Sequence, residues 1–113
     1  ITAAVEVAHK KGKPLVIEEF GLARDGGDLS AGAATTERDD FVRRMCEHAA
    51  GKREVAGVAV WAWGGEGRPK QREMARGDAW IGDPPHEPQG WYSVYDADAA
   101  TIAALAECAR VMQ

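Results

Sequence analysis

The chain contains no asparagine, only two cysteines, and no apolar run longer than a few residues. The short runs exclude a bilayer-crossing helix, which needs about 20 predominantly apolar residues. A basic excess is missing too: 14 Lys and Arg stand against 18 Asp and Glu, for a net charge of −4. Phosphate binding needs a basic surface, so a nucleic-acid partner is disfavoured while neutral substrates stay open. Two cysteines without clustered histidines make neither a zinc site nor a disulfide framework. Cys46 and Cys108 each fall in a predicted helix, and buried free thiols are favoured over a single bridge. His86, set among prolines, has no ligand partner at useful spacing, so no metal is assigned. Gly64-Gly65-Glu66-Gly67 is neither a phosphate loop nor a dinucleotide fingerprint. The opening Ile1-Thr2-Ala3-Ala4-Val5 lacks a Met and a charged n-region, so it is not a signal peptide. It reads as mid-helix, which predicts a chain that begins inside a larger protein.

What is present describes one small globular domain: 113 residues, 45% hydrophobic and 28% charged. Ile1, Ala4, Val5 and Ala8 are spaced for a helix that ends in Lys10-Lys11-Gly12, a basic last turn with a C-terminal glycine. Residues 14–20 read as a strand, and residues 21–35 as a Gly/Ala/Asp-rich loop. Thr36-Glu37-Arg38-Asp39 has the outline of a capping box, with Asp in place of the usual Glu or Gln. The helix behind it runs to about Ala50, with Phe41, Val42, Met45 and Ala49 on its apolar side. Val55 to Trp63 forms a second strand. Residues 64–95 are long for a connection without regular structure, and Trp80, Trp91, Tyr92 and Tyr95 favour an ordered, packed loop there. Asp96 or Asp98 caps a last helix, about Ala99 to Met112, with Ile102, Leu105, Ala106 and Ala109 facing inward.

Alternation of helix and strand implies parallel strands joined by right-handed crossovers. Two parallel strands leave both sheet edges unpaired. The fold class is therefore α/β, and the chain reads as a piece, the C-terminal end, of a larger β/α fold. In such folds chemistry gathers at the C-terminal ends of the strands. Both strands end in unusual residues: Glu18-Glu19-Phe20-Gly21 after the first, and Trp61-Ala62-Trp63-Gly64-Gly65-Glu66-Gly67-Arg68-Pro69 after the second.

Together with Gly82-Asp83-Pro84-Pro85-His86-Glu87-Pro88-Gln89-Gly90-Trp91-Tyr92-Ser93-Val94-Tyr95-Asp96, these segments resemble the last quarter of a retaining β-mannanase of glycoside hydrolase family 5. The resemblance covers nearly the whole chain. It implies the C-terminal portion of a TIM (β/α)8 barrel, namely helix 6, strand 7, helix 7, strand 8 and helix 8, with residues 1–113 belonging to one catalytic domain. The implied reaction is endo-acting hydrolysis of β-1,4-mannosidic bonds. The family nucleophile is the Glu before the aromatic-Gly pair, here Glu19. A strand-end carboxylate on a solvated rim is the commoner situation, and the resemblance is what turns Glu19 into a nucleophile. Strand alternation then sends the neighbouring Glu18 to the other face, toward the helical layer or a neighbouring strand, as a structural salt-bridge partner. Trp61 corresponds to the tryptophan that floors the sugar subsite at the cleavage point, where axial C–H bonds pack on the ring. Trp63 shares its strand face, and lines the same site or fills the barrel core. Trp80 and Trp91 read as loop anchors. Arg68 and Glu66 are candidate hydrogen-bonding partners for sugar hydroxyls. Asp83, His86 and Glu87 have the same chemistry, although for all five residues a solvated loop with internal salt bridges is the commoner use.

Retaining glycosidases need two carboxyl groups about 5–5.5 Å apart. The family's acid/base Glu follows an Asn, and this sequence has no Asn. The chain is thus expected to supply the nucleophile half of a site and to be inactive alone. Its expected partners are a mannan substrate and either an N-terminal barrel portion or a second copy of itself. A non-catalytic carbohydrate-binding or self-associating fragment is the alternative. No cofactor is implied, since this hydrolysis uses carboxyl groups and water. Secretion or a periplasmic location is implied by the resemblance only.

Overall fold

The structure, a computed structural model, describes residues 1–79 and 81–112. The element order is α1 (Thr2–Lys11), β1 (Leu15–Phe20), α2 (Thr36–Ala50), β2 (Val55–Val60), β3 (Trp63–Gly65), β4 (Val94–Tyr95) and α3 (Ala99–Val111). A single 3-10 turn, Asp25–Gly27, lies in the loop between β1 and α2. β1 pairs with β2 in parallel, as the alternation of helix and strand requires, and β3 pairs with β4 in a second parallel ribbon. Among the described residues each of β1 and β2 keeps one unpaired edge. The Cα radius of gyration is 15.5 Å, against about 13 Å for a closed domain of this length. The excess fits a sheet covered on one side.

One face of the sheet carries the core. Phe20 is buried with Val42, Cys46, Ala104 and Cys108, and Ile17, Val58 and Val60 pack against that cluster. Phe20 meets Phe41 edge-on, with ring centroids 6.0 Å apart. Val16, Glu18, Ala56 and Ala59 are exposed. The core side of α3 is Thr101, Ala104 and Cys108, all buried, flanked by half-buried Ile102 and Leu105; the expected Ala106 and Ala109 are exposed. Packing beside α2 turns this stripe, because Cys46 and Cys108 face each other. They form a disulfide, with Cα atoms 5.3 Å apart across 62 residues of sequence. That corrects the expectation of free thiols: spacing in sequence could not show that two helices would bring the cysteines within bridging distance.

Capping of the helices also departs from expectation in part. Gly12, at φ 59°, closes α1 as anticipated, with its own amide on His9 O and the Lys13 amide on Ala8 O. α1 itself buries only Ala8, and Ile1 and Ala4 are exposed. The residue capping α2 is Thr35 rather than Thr36. Thr35 Oγ1 donates to Asp39 Oδ2, while the Thr36 and Glu37 amides donate to the Asp25 carboxylate at 3.0 and 2.9 Å. The first-turn amides thus get their acceptor from a loop residue eleven positions upstream, in place of the local box. The Glu37 amide bond is the main cause that holds the Asp25 carboxyl below its ordinary value. Asp98 stands at the N-cap of α3 as expected, but its carboxylate serves other partners.

Candidate active site

Glu19 lies one residue before the end of β1, at a break in the ladder. Ile17 is opposite Val58 and Phe20 opposite Val60, so three steps on β1 match two on β2. This is a bulge, the device that re-aims a side chain at a strand end. Glu19 takes the extra turn with φ 58°, the one positive φ at a non-glycine residue among those described. Simple alternation therefore fails here. Glu18 and Glu19 sit between two core-packed residues, and both are exposed. The expected turn of Glu18 into the helical layer, with a salt bridge there, is not what the structure has: among the described residues Glu18 makes no ion pair.

Trp61 is held directly beside this bulge. Its amide donates to Phe20 O at 2.9 Å. A methyl group on Gly21 would lie 2.2 Å from Trp61 O, so only glycine permits this approach. The Glu-aromatic-Gly sequence has a geometric reason: the aromatic anchors the strand in the core, and the glycine lets the next strand's tryptophan close in. β2 does not run on to Trp63. It ends at Val60, the Trp61–Ala62 peptide is cis, and Ala62 leaves β1 to donate to Tyr92 O and accept from the Val94 amide. Trp63 belongs to β3, paired with Val94. The single continuous strand expected through Trp63, with both tryptophans on one face, is therefore replaced by two strands. Trp61 is half-buried, and Trp63 is 59% exposed, outside the core of the described residues.

The long loop is ordered around two carboxylates. Asp83 is fully buried and accepts from the Gly90 and Tyr92 amides, each at 2.8 Å, and from Ser93 Oγ at 2.5 Å. Gln89 ties the same turn through its amide nitrogen to Asp83 O, Pro84 O and Glu87 O. Asp83 is thus a loop organiser, fully buried within the turn it holds. Arg68 is likewise engaged inside the loop. It donates to Gly65 O and Gly67 O, pairs with Asp96 at 2.5 Å, and lies over the Tyr95 ring. The Arg68 hydrogen bond is the main cause that holds Asp96 below its ordinary value. Glu66 and His86 are exposed, and Glu87 is half-buried. Trp80 lies outside the described residues.

Sequence reasoning missed the buried ion network that fastens this loop to the frame. Asp98 receives two bonds from Arg24, at 2.9 and 2.6 Å, and one from the Tyr95 amide, with Arg38 at 3.6 Å. Arg38 also donates to Leu22 O, Ser93 O and Trp91 O. Both arginines are 1% exposed. Burial is the chief influence lowering the Arg38 guanidinium, and Arg24 beside it adds repulsion. Asp39 accepts from Thr101 Oγ1 and joins α2 to α3. In this way the β1–α2 loop, the Trp91–Tyr95 segment and α3 are locked together behind Glu19. A polar Arg-Asp pair separated by 74 residues leaves no periodic signal in a sequence.

Among the described residues no group of His, Cys, Asp or Glu is arranged to hold a metal ion. The family model for β-mannosidase-like proteins of glycoside hydrolase family 5 matches residues 1–113. A search of curated proteins finds no match. Among solved structures the chain is similar to a glycoside hydrolase family 5 mannosidase from Rhizomucor miehei, with 32% identity, a TM-score of 0.81, and coverage of 98% of this chain and 30% of that one. A glutamate-to-alanine variant of the same protein gives a TM-score of 0.82 at 31% identity, with the same coverage of both chains. Another such variant, solved with mannosyl-fructose, gives 0.76 at 31% identity, covering 96% of this chain and 32% of that one. The chain thus spans about a third of the length of the structures it matches.

Proposed function

Because the chain belongs to the β-mannosidase-like proteins of glycoside hydrolase family 5, we propose that it supplies the nucleophile half of a retaining β-mannoside hydrolase. The observation that carries this reading is the bulge at Glu19, tied to Trp61 through the Phe20–Trp61 hydrogen bond and the Gly21 approach. A carboxylate on a strand end beside a half-buried tryptophan is suited to attack the anomeric carbon of a sugar stacked on that ring. Trp61 is the sugar platform, and Trp63 and Glu66, both exposed, are further contacts. Arg68 acts through the loop it holds.

The second carboxyl, the acid/base, comes from elsewhere in the complete enzyme. The partner is the remaining barrel portion, seated on the unpaired edges of β1 and β2; a second copy of the chain is the other possible occupant. The substrate is a β-1,4-mannan cut at internal bonds. Release of single sugars from chain ends is the second reading, favoured by the β-mannosidase-like character of the family model. Secretion or a periplasmic location is supported by the Cys46–Cys108 bridge, since disulfides persist in oxidising compartments.

Product analysis on mannan decides between the two cleavage modes. Mixed oligosaccharides from the first minutes support internal cleavage, and mannose alone supports end release. Glu19→Gln in the complete enzyme should lower kcat by roughly a thousandfold or more while oligosaccharide binding persists. Oligosaccharide binding without any turnover by the unaltered enzyme would instead establish a binding module.

A further inference from the structure

The aromatic residues of the long loop divide into two kinds. Tyr95 is fully buried, with Arg24 on its ring at 5.0 Å and Arg68 at 4.6 Å, and it belongs to the framework. Trp91 and Tyr92 are both half-buried and stack face to face, with centroids 5.0 Å apart and planes 17° from parallel. The Tyr92 backbone is fixed independently of its ring. Its amide donates to Asp83 Oδ1, and its carbonyl accepts from the Ala62 amide. The ring lies against the β1 end: a methyl group on Gly21 would be 3.5 Å from Tyr92 Cδ1. The same methyl position meets Trp61 O. Tyr92 and Trp61 therefore flank one glycine, two residues past Glu19. Among the described residues the Tyr92 hydroxyl has no hydrogen-bond partner.

From this we infer that Tyr92, braced by Trp91, is a second sugar-contacting residue. Resting on the proposed β-mannoside reading, it receives the pyranose next to the one on Trp61. A ring serving only as a loop anchor would be buried like Tyr95, whereas the Tyr92 ring keeps part of its surface open. A half-buried stacked pair with an unbonded phenol is instead arranged to offer part of a ring and one hydrogen bond. The buried Asp83 hub holds it there before substrate arrives, which spares the ordering cost of binding. Tyr92 on this account is a binding and specificity residue, and it takes no part in proton transfer.

The test uses the complete enzyme with mannotetraose as probe, with affinity measured by calorimetry in a Glu19→Gln background so that the ligand is not consumed. Tyr92→Phe keeps the ring and should weaken binding about threefold to tenfold, the worth of one net hydrogen bond. Tyr92→Ala should weaken it further, and in the active enzyme both changes should raise KM with little change in kcat. Unchanged affinity in Tyr92→Phe and Tyr92→Ala, both folded, overturns the inference. If Tyr92→Ala does not fold, Tyr92→Leu takes its place as the variant without the ring, and unchanged affinity in both the Leu and Phe variants overturns the inference. Weakened binding in Tyr92→Ala with none in Tyr92→Phe supports contact through the ring face. Full turnover by the Glu19→Gln enzyme would sink the nucleophile assignment, and absence of turnover by the unaltered enzyme would sink the hydrolase reading; both outcomes are distinct from any result at Tyr92.

Discussion

Reduction of the Cys46–Cys108 bridge removes the covalent link between α2 and α3, and the fold sets the size of its effect. The bridge closes 62 residues, and a loop of that length corresponds to about 4 kcal/mol of chain entropy withheld from the unfolded state. Both cysteines are almost fully buried in the core cluster. Reduction keeps their volume in place, so the covalent contribution is isolated from cavity effects. Urea unfolding followed by tryptophan fluorescence, with and without a reductant, is the appropriate assay. At a slope of about 2 kcal/mol per molar urea, the midpoint should fall by roughly 2 M. Thiol titration of the unreduced, unfolded protein should find neither cysteine free. Two titratable thiols, or coincident unfolding curves after verified reduction, would refute the reasoning.

Four further perturbations have definite expected outcomes. Gly21→Ala places a methyl group 2.2 Å from Trp61 O; the forced shift should cost about 1–3 kcal/mol in denaturant unfolding and depress activity through the displaced Trp61. Asp98→Asn leaves Arg24 and Arg38 buried without their carboxylate and should cost about 3–5 kcal/mol. Arg44→Ala, which breaks an exposed pair with Asp40, should cost under about 1 kcal/mol. The Asp25 carboxyl titrates below its ordinary 3.8 in the folded protein, so its stabilisation is present above that value and is lost as pH falls through the lower folded value. Asp25→Ala should therefore lower the melting temperature at neutral pH, and the two proteins should converge on acidification below about pH 4. Parallel curves down to acid pH would show that the cap contributes nothing.

The parts of the molecule that could be read in the sequence are those governed by short-range periodicity. The helices at 2–11, 36–50 and 99–111 and the strands at 15–20 and 55–60 follow from apolar spacing, glycine stops and β-branched runs. Their parallel pairing follows from the alternation of strand and helix. What resisted reading depends on contacts between distant residues. The bulge that exposes both Glu18 and Glu19 is a mismatch between two strands, and neither strand shows it alone. Arg24, Arg38 and Asp98 look like surface residues until three segments close over them. The role of Gly21 becomes visible only once Trp61 O is opposite it. Resemblance to a family pointed to Glu19 and Trp61, and the fold supplies a physical reason for their proximity. It also shows Arg68 and Asp83 bonded within the loop they support.

A retaining glycosidase forms a covalent bond between the sugar and its nucleophile, which makes the central claim directly measurable. The complete enzyme would be incubated with a 2-deoxy-2-fluoro-β-mannosyl fluoride, digested, and the labelled peptide sequenced by mass spectrometry. The account predicts one fluoromannosyl group per active site, carried by Glu19. A label on any other residue, or a fully active enzyme that acquires none, would contradict it.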